Sequence, residues 1–180
     1  MTRSVRPIEL PAGALLQRCR DAGAYADCYT CEVDGSVSHV GFVEAFYTTR
    51  LFKVERFILR WLARRPATDA DARRLAEGTA DSFSAWRVEG RAANQLLLAD
   101  FTGHTKSWLM VAPGSASGAQ TLTRLYFGSA VVPQAKRGPN GEPRMGFVFP
   151  ALLGFHRLYS RLLLGAARAS LMRAQLARTL

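Results

Sequence analysis

Cys28-Tyr29-Thr30-Cys31 is the first stretch whose residue types and spacing could do chemistry, a C-x-x-C pair. A redox pair wants its first thiol at a helix N-terminus, where the dipole lowers the thiol pKa. Here the stretch lies in a run of aromatic and small residues that reads as a strand, and residues three apart on a strand point to opposite faces. Zinc would need two more ligands, and no second C-x-x-C exists. These cysteines read as buried or half-buried thiols. Ser115 and Ser117 sit in a Gly-Ser-Ala-Ser-Gly stretch that joins two strands, whereas a nucleophile elbow needs a strand-to-helix turn. The three histidines, His39, His104 and His156, have no metal-ligand spacing, and neither metal nor cofactor is expected. His104 reads as a turn residue near Asp100.

His156 is the one catalytic candidate. On a helical wheel it falls at the edge of an apolar face, beside Tyr159 and away from the arginines. A neutral imidazole there can hydrogen-bond a cavity ligand or act as general base. Trp86, Trp108 and Tyr126 fall on strands, where aromatics are core or, if the sheet is concave, cavity lining. With Arg124 and Tyr159 as polar tips, the ligand-binding candidates are Trp86, Trp108, Tyr126, His156, Tyr159 and Arg124. A separate basic stripe, Lys53, Arg56, Arg60 and Arg64 with Arg65 beside it, recurs at helical spacing. It reads as a solvated helix face or as a dock for an anionic membrane or polyanion. No helix-turn-helix, RNA-recognition or zinc-finger signature accompanies it, so nucleic acid is not an expected partner.

The elements that must position these residues follow from periodicity. Pro7 and Pro11 bracket a short extended piece, and Ala14–Arg20 reads as a helical turn ended near Gly23. Tyr25–Val33 reads as the first strand, closed by Asp34-Gly35. Ser38 caps a helix from His39 to about Thr48. A second helix runs from about Arg50 to Arg64, with Trp61 on its apolar side, and Pro66 ends it. Thr68-Asp69 caps a third, Ala70–Glu77, stopped by Gly78. The period then drops from 3.6 to about 2. Strands are expected over Ser82–Glu89, Asn94–Phe101, His104–Ala112 and Gln120–Val132, with turns at Gly90–Ala93 and Thr102-Gly103 and a loop over 113–118. Short links between consecutive strands predict an antiparallel meander.

Pro133–Met145 reads as a polar loop. The last stretch, Phe147 to about Arg178, is the longest apolar-periodic one. Phe155, Leu158, Tyr159, Leu162, Leu163 and Ala166 share one face, with Arg157, Arg161 and Arg168 opposite. The expected fold is α+β: a curved antiparallel sheet packed around a long C-terminal α-helix, with a helical insertion after the first strand.

At 180 residues the chain reads as one domain over 1–180, its first 24 residues poorly defined. Its hydrophobic content of 48% and charged content of 21% are those of an ordinary globular protein. The formal charge of +10 and pI of about 10.4 invite anionic partners. Nearly all of that charge is arginine, which a GC-rich coding sequence also produces. An odd count of three cysteines makes no disulfide framework and suggests a reducing compartment. The opening MTRSVRPIEL has no apolar core of a signal peptide, and no run of about 20 apolar residues exists. A cytoplasmic protein is expected.

This order of elements resembles the START-like (helix-grip, or SRPBCC) superfamily. More narrowly, DFTGHTKSWLMVAP, TRLYFGSAVVP and FPALLGFHRLYSRLLL look like a group of uncharacterised bacterial proteins placed in that neighbourhood. The resemblance covers roughly residues 25–175. It implies an apolar cavity between a curved sheet and the last helix, and no particular reaction. The expected function is therefore binding of a small apolar or amphipathic ligand. The alternatives are a cyclase- or hydrolase-like enzyme in the same cavity, with His156 as base and Tyr159 or Arg124 as polarising donor, or docking of the basic face to an anionic surface.

Overall fold

The fold is given by a computed structural model, which describes residues 4–54, 67–115, 121–132 and 148–179, and only the backbone of 148–155 and 179. It is α+β, with a seven-stranded antiparallel open sheet and a C-terminal helix. The strands are β1 (Arg6–Pro7), β2 (Tyr25–Asp34), β3 (Ser82–Phe83), β4 (Trp86–Ala92), β5 (Gln95–Asp100), β6 (Thr105–Pro113) and β7 (Leu122–Val131). The helices with described bounds are α1 (Gln17–Asp21), α2 (His39–Tyr47), α3 (Asp69–Glu77) and α4 (Val148–Thr179), and residues 50–54 are also helical. In space the strands run β1-β2-β7-β6-β5-β4-β3. The expected meander is present from β3 to β7. A two-residue strand precedes the one expected to be first, and that one, β2, closes against β7 in register from Tyr25↔Val131 to Asp34↔Leu122.

The helix caps form as their residue types dictate. The Ser38 hydroxyl accepts from the Gly41 N–H at 3.1 Å, satisfying one orphan donor of α2. Thr68 and Asp71 form a reciprocal capping box on α3, and Gly78 ends it in the left-handed conformation, φ 80°.

Two turns differ from expectation. Ser82–Glu89 is not one strand: a turn at Ser84-Ala85, with Ser84 at φ 54°, folds β3 back on β4 so that Phe83 opposes Trp86. Gly90–Ala93 is not the next turn either. A β-bulge between Val88 and Gly90 lets β4 continue to Ala92, and the chain reverses at Ala93-Asn94.

The sheet is buried on both faces. Its inner face packs Tyr29, Cys31, Val33, Leu96, Leu98, Leu109, Leu125 and Phe127 against α2, α3 and α4. Its outer face packs Cys28, Leu97, Trp108, Met110, Tyr126 and Ala130 against the segment from Ile8 to Ala24. Close approach on the outer side requires Gly128. A Cβ there would lie 2.8 Å from a Leu16 methyl and 2.9 Å from the Trp108 ring.

The helix α4 runs alongside β2 and in the same direction. Arg157 Nε donates to the Tyr25 hydroxyl (2.9 Å), Arg168 Nε to the Glu32 carbonyl (3.0 Å) and Gln175 Nε2 to the Asp34 carbonyl (2.8 Å). The lengths agree: 157 to 175 is about 27 Å of helix, and 25 to 34 is about 30 Å of strand. β1 covers β2 only opposite Tyr29 and Thr30, so Arg168 and Gln175 occupy carbonyls on an otherwise open edge.

The rotation of α4 corrects the expected apolar face. Leu158 and Leu162 are 56% and 52% exposed, whereas Ser160, Leu163, Leu164, Ala167 and Leu171 are buried. The buried stripe includes the small residues Ser160 and Ala167, which let the helix approach the sheet closely. Among the described residues no helix is long and apolar enough to cross a membrane.

Candidate functional site

Strand parity builds the site. In antiparallel pairing, residues directly opposite one another share a face. Asp27 of β2 opposes Ser129 of β7, and Ser129 opposes Ser107 of β6. Three polar side chains thus form one row across the inner face. The next residue in that row, Leu98 of β5, is apolar.

Two elements above the sheet reach down to this row. His156 of α4 places Nε2 2.5 Å from the Ser129 hydroxyl, which also lies 2.5 Å from Asp27 Oδ1. Tyr47 of α2 meets the Ser107 hydroxyl at 3.0 Å. An ionised carboxylate only accepts, so Ser129 gives its one proton to Asp27 and accepts from His156 Nε2–H. The order Asp–Ser–His is not that of a catalytic triad, in which the histidine lies between the other two and takes the serine proton. Nε2 of His156 is engaged as a donor and is not a free base.

Beside this row lies a partly enclosed pocket of about 160 Å³. Its walls are mainly aromatic: Phe46, Phe52, Trp86, Phe127 and Tyr159, with Leu163. The Phe46 and Phe127 ring centroids are 4.7 Å apart. Thr105, Ser107, Ser129, His156 and Ser160 contribute polar edges. Two of the lining residues carry a buried polar atom without a hydrogen-bond partner, Trp86 Nε1 and Ser160 Oγ. Asp27 Oδ2, at the end of the polar row, has none either. Buried polar groups are normally paired; His39 Nε2 and Ser84 Oγ are two further unpartnered ones.

The structure gathers Trp86, His156 and Tyr159 at this pocket and separates them from the other three candidates. Trp108 and Tyr126 lie on the opposite face, in the core beneath the N-terminal segment. There the Trp108 Nε1–H donates to Gln95 Oε1 at 2.9 Å. Gln95 also accepts from the Leu15 N–H and donates to the Gly13 carbonyl, tying that segment down.

Arg124 is on the outer side as well. Its Nε and Nη2 reach Glu32 Oε1 at 3.0 and 2.7 Å, and it also bonds the Ser115 hydroxyl. The Ser115 N–H and the Arg124 guanidinium hold the Glu32 carboxyl below its ordinary range. Arg124 therefore cannot polarise a substrate beside His156. The turn at Ser84 and the bulge after Val88 set which face each β4 side chain takes, and neither is marked by a motif.

The remaining candidates resolve plainly. Cys28 and Cys31 lie on opposite faces of β2, each free, and burial pushes both thiols up to about 12. Burial lowers the pKa of His39, at the start of α2. His104 lies where the chain enters β6. Lys53 pairs with Asp69 at 2.5 Å on the surface. Arg56, Arg60, Arg64, Arg65, Trp61, Ser117 and the expected 133–145 loop lie outside the described residues. Sequence reasoning missed Asp27, Ser129, Ser107 and Ser160. For the first three the available signal was a polar residue at the parity of the inward-facing apolar ones on its strand.

Comparison with protein-family models, with curated proteins and with solved structures returned no match.

Proposed function

We propose that this protein binds a small apolar or amphipathic molecule in the pocket between the inner face of the sheet and α4. The observation that carries the reading is the pair of unpartnered buried groups, Trp86 Nε1 and Ser160 Oγ, on an aromatic-walled pocket. Both atoms are covered in the unliganded protein; an unpaired buried donor costs about 1–3 kcal/mol, and a ligand oxygen reached by a small turn of either side chain supplies the missing partner. Concave apolar space with a few polar groups is the usual form of a small-ligand site. The long helix laid along an antiparallel sheet, with the pocket between them, supports a START-like, helix-grip reading of the fold. A cyclase- or hydrolase-like reaction is less well supported, because His156 Nε2 is tied to Ser129 and Arg124 is on the other face.

Native mass spectrometry of the purified protein, followed by solvent extraction, tests this. The expected result is a small-molecule adduct that disappears in Leu163→Phe, which fills the pocket. An adduct that survives the filling contradicts the proposal. So does the absence of any adduct together with an empty pocket in xenon-pressurised crystals, since apolar cavities of this size take up xenon.

A further inference from the structure

We infer that the ligand is a neutral, single-ring aromatic molecule bearing one hydrogen-bond acceptor oxygen, received by Trp86 Nε1–H and the Ser160 hydroxyl. This rests on the pocket reading above and narrows it by size, wall chemistry and charge.

Size comes first. The pocket holds about 160 Å³, close to the roughly 150 Å³ of an engineered cavity that takes up benzene. Sites for larger ligands run from about 300 to 1,000 Å³. The volume suits a single-ring guest.

The walls select further. Phe46 meets Phe52 at 6.4 Å and Phe127 at 4.7 Å between centroids, at interplanar angles of 49° and 41°. Together with Trp86 and Tyr159 they present ring edges and faces at several inclinations. An aromatic guest completes such an arrangement with favourable edge-to-face contacts, which a saturated ring of the same volume cannot make.

Polarity then fixes the substituent. An indole N–H can only donate, and a serine hydroxyl can donate. Both lack a partner and both are covered in the unliganded protein, so the complementary group is an acceptor, reached by a small turn of the two side chains. Charge excludes a carboxylate in that role. Lys106 contributes to the pocket wall, but its ammonium is 2.8 Å from Glu89 Oε2. No other lysine or arginine among the described residues is in the lining. Asp27 stands in the adjoining polar row. An anion entering here would lose its hydration without gaining a counter-charge.

The test is a calorimetric titration of the full chain with four probes: acetophenone, its isostere α-methylstyrene, benzoate and cyclohexyl methyl ketone. Acetophenone is expected to bind about 3–10-fold more tightly than α-methylstyrene, the range given by one net hydrogen bond. Benzoate and the saturated ketone are expected to be the weaker ligands. In Trp86→Phe, which keeps a ring and loses the N–H, the acetophenone advantage should fall toward 1 while α-methylstyrene binding is retained. Ser160→Ala gives an independent reading of the same ratio with a smaller change in shape.

An acetophenone advantage that persists in both variants overturns the inference. So does benzoate binding as tightly as acetophenone, or cyclohexyl methyl ketone matching it. In each of those cases binding that is still lost in Leu163→Phe leaves the pocket reading standing. If none of the four probes binds, the inference fails, and the adduct and xenon measurements decide the pocket reading separately.

Discussion

Trp86 and Trp108 lie on opposite faces of one sheet, and the contrast between them separates the pocket proposed for binding from the scaffold. Trp108 is fully buried beneath the N-terminal segment, and its N–H is satisfied by Gln95. Trp86 is only partly buried, lines a pocket, and its N–H has no partner. The same side chain therefore does two jobs. On the outer face a closed set of hydrogen bonds ties residues 13 and 15 to β5 and β6. On the inner face the polar row Asp27, Ser129 and Ser107 is joined to His156 and Tyr47, and the neighbouring Trp86 and Ser160 are left open. Polar groups that close on one another stabilise, whereas buried polar groups without a partner cost stability.

The largest expected effect breaks the outer face. Trp108→Ala should destabilise by about 3–5 kcal/mol, read as a lowered denaturant midpoint. Trp86→Ala should cost clearly less, because its neighbours already border open space. Equal losses would remove the distinction between the two faces.

Serines sharpen the same contrast within the inner face. Ser129→Ala leaves Asp27 Oδ1 and His156 Nε2 without their shared partner and should cost about 1–3 kcal/mol. Ser160→Ala removes a buried hydroxyl that has no partner, and should raise stability by about 1–3 kcal/mol. Chemical denaturation of the two variants measures both. A finer comparison replaces only the indole N–H: Trp108→Phe should cost about 1 kcal/mol more than Trp86→Phe.

Acidity acts through one group on each side. The folded pKa of Glu32, on the outer side, lies below the unfolded 4.5, and that of His39, which accompanies α2 on the inner side, lies below 6.5. In both cases the unfolded chain binds the proton more readily, so stability rises with pH. The His39 contribution is fully present above about pH 6.5 and is lost as pH falls through its lowered value. The Glu32 contribution is present above about pH 4.5 and is lost in the same way further down. Denaturant midpoints from pH 8 to pH 4 should therefore fall in two stages, the upper flattened by His39→Gln and the lower by Glu32→Gln.

The smallest effect is an absence of reaction. Cys28 and Cys31, one on each face, with thiols near 12, should stay unmodified by iodoacetamide at pH 8 until denaturant is added, as seen by mass spectrometry.

Much of this was legible in the chain, and what escaped did so for physical reasons. Ser38, Thr68 and Gly78 mark helix ends because orphan N–H and C=O groups demand those residue types. The strand–helix–meander–helix order follows from the change of period after Gly78. Facing was harder. Parity assigns side chains to a face only between irregularities, and the Ser84 turn and the Val88/Gly90 bulge fall within the stretches that carry Trp86 and Arg91. The rotation of α4 escaped because Leu158 and Leu162 look like core, while the buried stripe runs through Ser160 and Ala167. Asp27 and Ser129 escaped because a polar row exists only once β2 has paired with β7, which is distant in sequence.

The most direct test of the account follows the indole N–H groups themselves. With ¹⁵N-labelled protein, the three tryptophan side-chain resonances are assigned by Trp→Phe substitution and followed as acetophenone is added. The account predicts that the Trp86 resonance moves downfield and saturates as its proton gains an acceptor, while the Trp108 resonance, already bonded to Gln95, stays in place. A Trp86 resonance that does not move, or one that moves only together with that of Trp108, would contradict it.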